Sequence, residues 1–235
     1  MHCQRIAKRL QSMDDFRFHE STTMPTLHPF PDDHGRPVIL RQPSTPTPLA
    51  AWNDARQIAT VTPGGPLPAA LNGIALAPWT DVPDSAPGWQ ACVPGNAIEE
   101  PPFQLPPGMA AAAGVVILEN DGRAWLVAPS NGFGGYAATF PKGRVDPGAS
   151  LQCAAVREAF EESGLQVHIE AFLLDLKRTL TYTRYYLARR IGGSPADMGW
   201  ESQAVHLAPL ARLRQVAVHP NDGPVIAALE RALGR

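Results

Sequence analysis

The hydrophobic pattern changes character at Met109. From Ala110 to Glu119 (AAAAGVVILE) apolar residues run almost without a break, as in a strand buried on both faces. Asn120-Asp121-Gly122 is a turn signal and Trp125–Ala128 reads as a returning strand, so 110–130 is predicted to be a hairpin. Asn131–Gly135 is a flexible loop, Tyr136–Phe140 a short strand, and Pro141–Gly148 a turn-rich run. Ser150 is a good helix N-cap and Gly164 a good residue just past a helix end, so the best-defined helix lies between them. Residues 165–176 and 179–190 alternate as two strands. A loop over 192–199, a strand at 205–207 and a short helix over 210–216 follow, and Asn221 or Asp222 caps a final amphipathic helix over 225–233. Elements mixed in this order predict an α/β domain over 109–235.

Upstream the texture is set by proline. The chain has 25 prolines among 235 residues, and 18 of them fall between Pro25 and Pro107. Proline lacks a backbone donor and fixes φ, which penalises long helices and central strands there. The stretch is not polar: Val38-Ile39-Leu40, Ile58–Val61, Leu71, Ile74, Leu76, Trp79 and Trp89 interrupt it. It is therefore predicted to be an irregular extension with short strands that packs on something; the alternative is a disordered arm. Residues 1–24 have no periodicity and are expected to be a disordered tail, with Met13 and Met24 as alternative starts.

Composition narrows the function classes. Hydrophobic residues make up 44% of the chain, enough for a core. The net charge of −2 leaves no electrostatic footprint for nucleic acid. No run of about 18 apolar residues exists, which argues against a membrane span. Cys3, Cys92 and Cys153 are far apart and form no C-x-x-C pair, which fits a reducing cytoplasm. The opening MHCQRIAKRLQSMDD has no apolar core and is not a secretory signal.

The helix over 150–164 carries the candidate chemistry. At about 100° per residue, Glu162 lies about 40° and Glu161 about −60° from Glu158, so three carboxylates share one face. Cys153, Val156 and Phe160 lie opposite and are predicted to pack on a sheet, while Ala154 and Ala155 leave room on the acidic side. Like charges so close repel, and near a helix C-terminus the macrodipole adds to the cost. Arg157 relieves one of them through its i,i+4 pair with Glu161. A hard divalent cation, Mg²⁺ or Mn²⁺, would relieve all three. A solvated acidic face is the alternative for such a helix taken alone.

The loop before the helix decides between them. Residues 143–165, GRVDPGASLQCAAVREAFEESGL, resemble the signature of the Nudix hydrolases, G-x5-E-x7-R-E-U-x-E-E-x-G-U with U aliphatic. Gly143 matches the first glycine, and Arg157–Leu165 matches the second half at the right spacing. One position departs: the first glutamate of the signature is Ala149 here. Asp146 is close enough in sequence to substitute for it in part.

The resemblance implies an α/β/α sandwich with a mixed sheet, preceded here by the proline-rich extension. It implies metal-dependent hydrolysis of a nucleoside diphosphate linked to another group. Glu158, Glu161, Glu162 and the Gly143 carbonyl are then metal ligands, with Glu158 either ligand or general base. Arg157 orients the glutamates. Lys142 and Arg144 are candidates for phosphate, and Glu201 for a later ligand or base. Trp200, Tyr182 and Tyr185 either stack on a base or belong to the core, whereas His206 and His219 are expected to be structural. The substrate reading puts dinucleoside polyphosphates or diphosphoinositol polyphosphates first and ADP-ribose or another nucleotide sugar next. Because Ala149 departs, a nucleotide-binding module with little or no catalysis is the alternative. For the extension, the readings are a rim over the substrate, a homodimer interface or a packing brace.

Overall fold

The structure is a computed structural model that describes residues 25–93 and 98–234; the expected tail over 1–24 lies outside the described residues. In chain order the elements are β1 (Thr26–Leu27), β2 (Ile39–Leu40), β3 (Ala59–Val61), β4 (Ala70–Leu71), β5 (Ile74–Ala75) and α1 (Ala86–Ala91). These are followed by β6 (Ala110–Ile117), β7 (Arg123–Pro129), β8 (Lys142–Arg144), α2 (Leu151–Ser163), β9 (Leu165–Lys177), β10 (Thr181–Gly193), β11 (Ser202–Pro209), α3 (Leu213–Val216) and α4 (Gly223–Ala232).

Two sheets organise the domain. One runs β8-β6-β10-β9 and is mixed, because β6 and β10 are parallel while the other pairs are antiparallel. The other runs β3-β11-β7 and is antiparallel. Side chains alternate across each strand. Ala113, Val115 and Ile117 of β6 join one apolar cluster with Trp125 and the α2 residues Ala155 and Val156. Val116 and Leu118 join a second with Leu126, Tyr185 and the α4 residues Ile226 and Leu229. Both faces are buried, so β6 reads as one continuous apolar run. The mixed sheet with helices on both sides is the α/β sandwich expected from the sequence.

Several expectations change. The turn at 120–122 is present, but β6 and β7 do not form a hairpin: they diverge into different sheets and share only the isolated bridge Leu118–Ala124. Residues 136–140 are not a strand; Thr139 alone bridges Val127, its N–H and C=O both paired at 2.9 Å. The turn-rich run at 141–148 contains β8. Asp222 stands at the N-cap position of α4, yet its side chain does not cap; it accepts from Thr139 Oγ1 at 2.9 Å. No helix among the described residues is long and apolar enough to cross a membrane.

The extension is tied to these sheets. β3 pairs with β11, and Thr60 Oγ1 lies 2.9 Å from Nδ1 of His206, so that imidazole serves the sheet. Trp52 packs against Trp125 with centroids 5.9 Å apart. Arg190 donates to the carbonyls of Leu71 (2.9 Å) and Ala75 (3.1 Å) at the β4–β5 turn. Its own counter-charge is Glu119, whose Oε1 accepts from Arg190 Nε at 2.6 Å and from Trp125 Nε1 at 2.9 Å. Asn72 Nδ2 donates to the other Glu119 oxygen at 2.9 Å. Glu119 and Arg190 are both almost wholly buried. Removing one member of such a pair leaves a charge unpaired in the interior. Glu119→Ala is expected to destabilise the fold by roughly 3–5 kcal/mol, whereas Glu119→Gln costs less because it keeps an acceptor; urea denaturation of the three proteins checks this.

Candidate active site

Helix α2 forms where its signals predicted. Ser150 Oγ accepts from Cys153 N at 3.1 Å, a cap worth about 1 kcal/mol. Gly164 ends the helix in the left-handed region at φ 69°. The acidic face, however, is not open to water. Glu158 is 7% and Glu162 9% exposed, while Glu161 is the solvent-facing member. Ala154, Ala155 and Ala159 are buried around them. Phe160, expected on the packed face, does pack against the core cluster, with Trp79 and Trp89 as ring neighbours, and it also borders a cavity.

Strand β8 lies beside the helix and brings Gly143 onto Glu158. A Cβ at residue 143 would overlap the Glu158 carboxylate, so any larger residue would push that carboxylate from its place. One residue earlier, the Lys142 N–H donates to Glu162 Oε2 at 2.8 Å. Arg157 connects the remaining groups. Its guanidinium reaches Glu161 at 2.9 Å, Glu158 at 3.1 Å, Asp146 at 3.3 Å and the Arg144 carbonyl at 3.2 Å.

One arginine does not balance this charge. Burial, then the neighbouring Glu162, pushes the Glu158 carboxyl up to about 8, against the opposing pull of Arg157. Burial pushes Glu162 up to about 7, although Lys142 opposes it. Glu161 and Glu201 are raised as well, each chiefly by burial. A buried carboxylate with too little positive charge around it retains its proton.

All of these carboxylates but Glu162, which is buried behind the wall, meet at a cavity of about 780 Å³. Asp146, Arg157, Glu158, Glu161 and Glu201 line it, with Arg144. Lys142 does not: its ammonium sits 5.4 Å over the ring of Tyr136. Trp200 lines the cavity, whereas Tyr185 is buried in the core and Tyr182 packs on Phe103. His219 stacks on Tyr136. Four lining residues, Phe30, Asp33, Pro78 and Trp79, come from the extension; a rim over the substrate was one reading for that segment, but no local pattern singles out these four. Ala149, at the departing position, packs against the core, and its N–H donates to the Asp146 carbonyl at 3.0 Å.

Among the described residues no three His, Cys, Asp or Glu side chains stand as a ready-made cage for a metal ion. Arg157 instead engages Glu158, Glu161 and Asp146. The donors are nonetheless hard oxygens suited to a small divalent cation.

The NUDIX domain family model matches residues 108–229, just over half of the chain. No curated protein matches the sequence. Among solved structures, the chain is similar to an Ap4A hydrolase binary complex from C. elegans at 23% identity and TM-score 0.45, covering 54% of this chain and 98% of that one. It is similar to an ADP-ribose pyrophosphatase from Streptococcus suis at 20% identity and TM-score 0.45, covering 54% and 92%. A MutT protein from Methanosarcina mazei gives 16% identity and TM-score 0.46, covering 54% and 96%. Scores this low add nothing about the substrate. With the glycine of β8 seated on the first glutamate of α2, and with the family model spanning strand, loop and helix, the chain belongs to the Nudix family.

Proposed function

We propose that the chain hydrolyses a pyrophosphate bond in a nucleoside diphosphate linked to a second moiety, using Mg²⁺ or Mn²⁺. The observation that carries this reading is the buried Glu158 carboxylate, held over Gly143 at the cavity wall and sharing its one ion-pair partner, Arg157, with Glu161 and Asp146. Glu158, Glu161, Glu162 and the Gly143 carbonyl would hold the cation. When bound, it supplies charge neutralisation at phosphate and acidifies water. The raised carboxyls of Glu158 and Glu162 support this, because they mark a site short of positive charge.

The chain's own groups have distinct tasks. Arg157 orients Glu158 and Glu161 through its bonds to both. Arg144, on the cavity wall, offers a planar fork to phosphate oxygens. Lys142 contributes its backbone N–H to Glu162, and its charge lies behind the site. Water attacks phosphorus, and a new P–O bond forms. The anhydride P–O bond breaks, and its electron pair leaves on the departing phosphate oxygen. Glu201, exposed at the cavity edge, takes the proton that the water loses.

The lining also bears on substrate class. Asp33, Asp146, Asp197 and Glu201 line the cavity beside the helix carboxylates, against only two guanidiniums. Such a field repels a densely phosphorylated group. It therefore disfavours diphosphoinositol polyphosphates relative to dinucleoside polyphosphates, ADP-ribose and nucleotide sugars. A cytoplasmic location is supported by Cys92 and Cys153, both free thiols.

A screen for metal-dependent hydrolysis of diadenosine tetraphosphate, ADP-ribose and nucleoside triphosphates tests the reading. Turnover should vanish with chelator and fall at least about 100-fold in Glu158→Gln with folding intact; metal-independent turnover, or none on any anhydride, sinks it. Gly143→Ala should lose about 100-fold in kcat, because the added methyl displaces the Glu158 carboxylate, and cost roughly 1–3 kcal/mol in thermal or urea melts. If Asp146 compensates for Ala149, Asp146→Asn lowers turnover and Ala149→Glu restores it in that background; unchanged kinetics in both would remove Asp146 from the site.

A further inference from the structure

The cavity also has an aromatic lining to which helix α2 contributes Phe160 alone. The rings are Phe30, Trp79, Phe160 and Trp200. Phe30 and Trp79 lie upstream of the matched region 108–229.

These rings are held in place. The buried His28 imidazole donates from Nε2 to the Ser202 carbonyl at 3.1 Å, and its Nδ1 accepts the Phe30 N–H at 3.0 Å. That fixes the backbone of Phe30 against the start of β11, while 44% of the residue's surface stays exposed. Further along, Asn131 donates to the Ile39 carbonyl at 2.9 Å and accepts from Arg41 N at 2.8 Å. The segment is thus tied to the domain at His28 and again at Ile39 and Arg41. Trp200 donates from Nε1 to Asp33 Oδ1 at 3.0 Å. With its only polar atom satisfied, the indole offers its faces for stacking. Trp79 meets Phe160 edge-on at 5.3 Å and Trp89 edge-on at 5.7 Å. The result is a partly exposed aromatic pocket adjoining an acidic one.

Beside Trp200 the charged groups are carboxylates, Asp33 bonded to its indole and Glu201 close enough to feel the Asp33 charge. A flat uncharged heteroaromatic ring with N–H donors suits that pocket: apolar faces for the rings, N–H edges for the carboxylates. We infer that the proline-rich extension completes the active site by supplying the nucleobase subsite, with Phe30 and Trp200 as stacking rings and Asp33 as the positioning residue for Trp200. The proposal rests on the hydrolase reading for where the phosphates lie. It adds that part of base recognition, through Phe30 and Asp33, comes from residues outside the family domain.

The test compares the full chain with Phe30→Ala and Asp33→Ala. Calorimetric titration with ADP and, separately, with inorganic pyrophosphate, both with Mg²⁺, gives two dissociation constants for each protein. Stacking one base on an aromatic ring predicts that Phe30→Ala weakens ADP about 5- to 50-fold and leaves pyrophosphate within about twofold. Phe30 is a surface truncation, so folding should survive. Asp33→Ala should weaken ADP in the same selective way, and Asp33→Asn, which keeps an acceptor for Trp200, should recover most of it; a residue that merely supports the fold would shift both ligands together. Unchanged ADP affinity in Phe30→Ala, or equal loss for both ligands, overturns the inference. The hydrolase reading fails on a different result, absence of metal-dependent turnover, and selective loss of ADP binding would uphold the subsite even then.

Discussion

The site depends on one charge imbalance. Two carboxylates, Glu158 and Glu162, are buried on one helix, and a single guanidinium, Arg157, stands among Glu158, Glu161 and Asp146. Moving an ionised carboxylate out of water is expensive, so such a group either takes a proton or gathers positive charge. Everything nearby serves to keep these groups close despite that cost. Three small alanines on α2 let the helix lie deep against the sheet. A glycine on β8 leaves space for the carboxylate itself. The Lys142 N–H ties Glu162 to the same strand that carries that glycine. The geometry is costly for an empty acidic patch and well suited to one that gathers a cation and a phosphate chain.

The proline-rich extension faces a different constraint. Prolines cannot donate to a ladder, so the segment leaves carbonyls without strand partners. Arginines of the domain satisfy them. Arg123 donates to the carbonyls of Trp52 at 2.7 Å and Ala51 at 3.2 Å, and Arg190 to those of Leu71 and Ala75. Each arginine has its own carboxylate, Asp121 for Arg123 and Glu119 for Arg190. The charge is therefore paired while the guanidinium reads an irregular backbone. The extension and the domain share apolar clusters and one sheet, and the cavity wall is made from both.

The sequence was most legible where the physics is local. The cap at Ser150, the stop at Gly164 and the 3.6-residue spacing of the glutamates placed α2 to within a residue. The unbroken run at 110–119 identified a strand buried on both faces for the right reason. It was least legible where partners come from far away. Asn120-Asp121-Gly122 makes its turn, but sheet membership is decided by β10 and β11, which lie some 60 to 90 residues downstream of β6 and β7. Asp222 resembles a helix cap until Thr139 reaches it first. The wheel put three carboxylates on one face but could not say whether water lay beyond it.

What the sequence determined by itself is the helix, the spacing of its acidic residues, the glycine before it and hence the family. Those follow from backbone capping and helical periodicity, which act over a few residues. The burial of Glu158 and Glu162, the turning of Lys142 toward Tyr136 and the arrival of Phe30, Asp33 and Trp79 at the cavity were decided by tertiary structure alone. Each depends on residues far apart in the chain meeting in space. Desolvation and charge coupling arise only when that meeting happens, so no local pattern carries them.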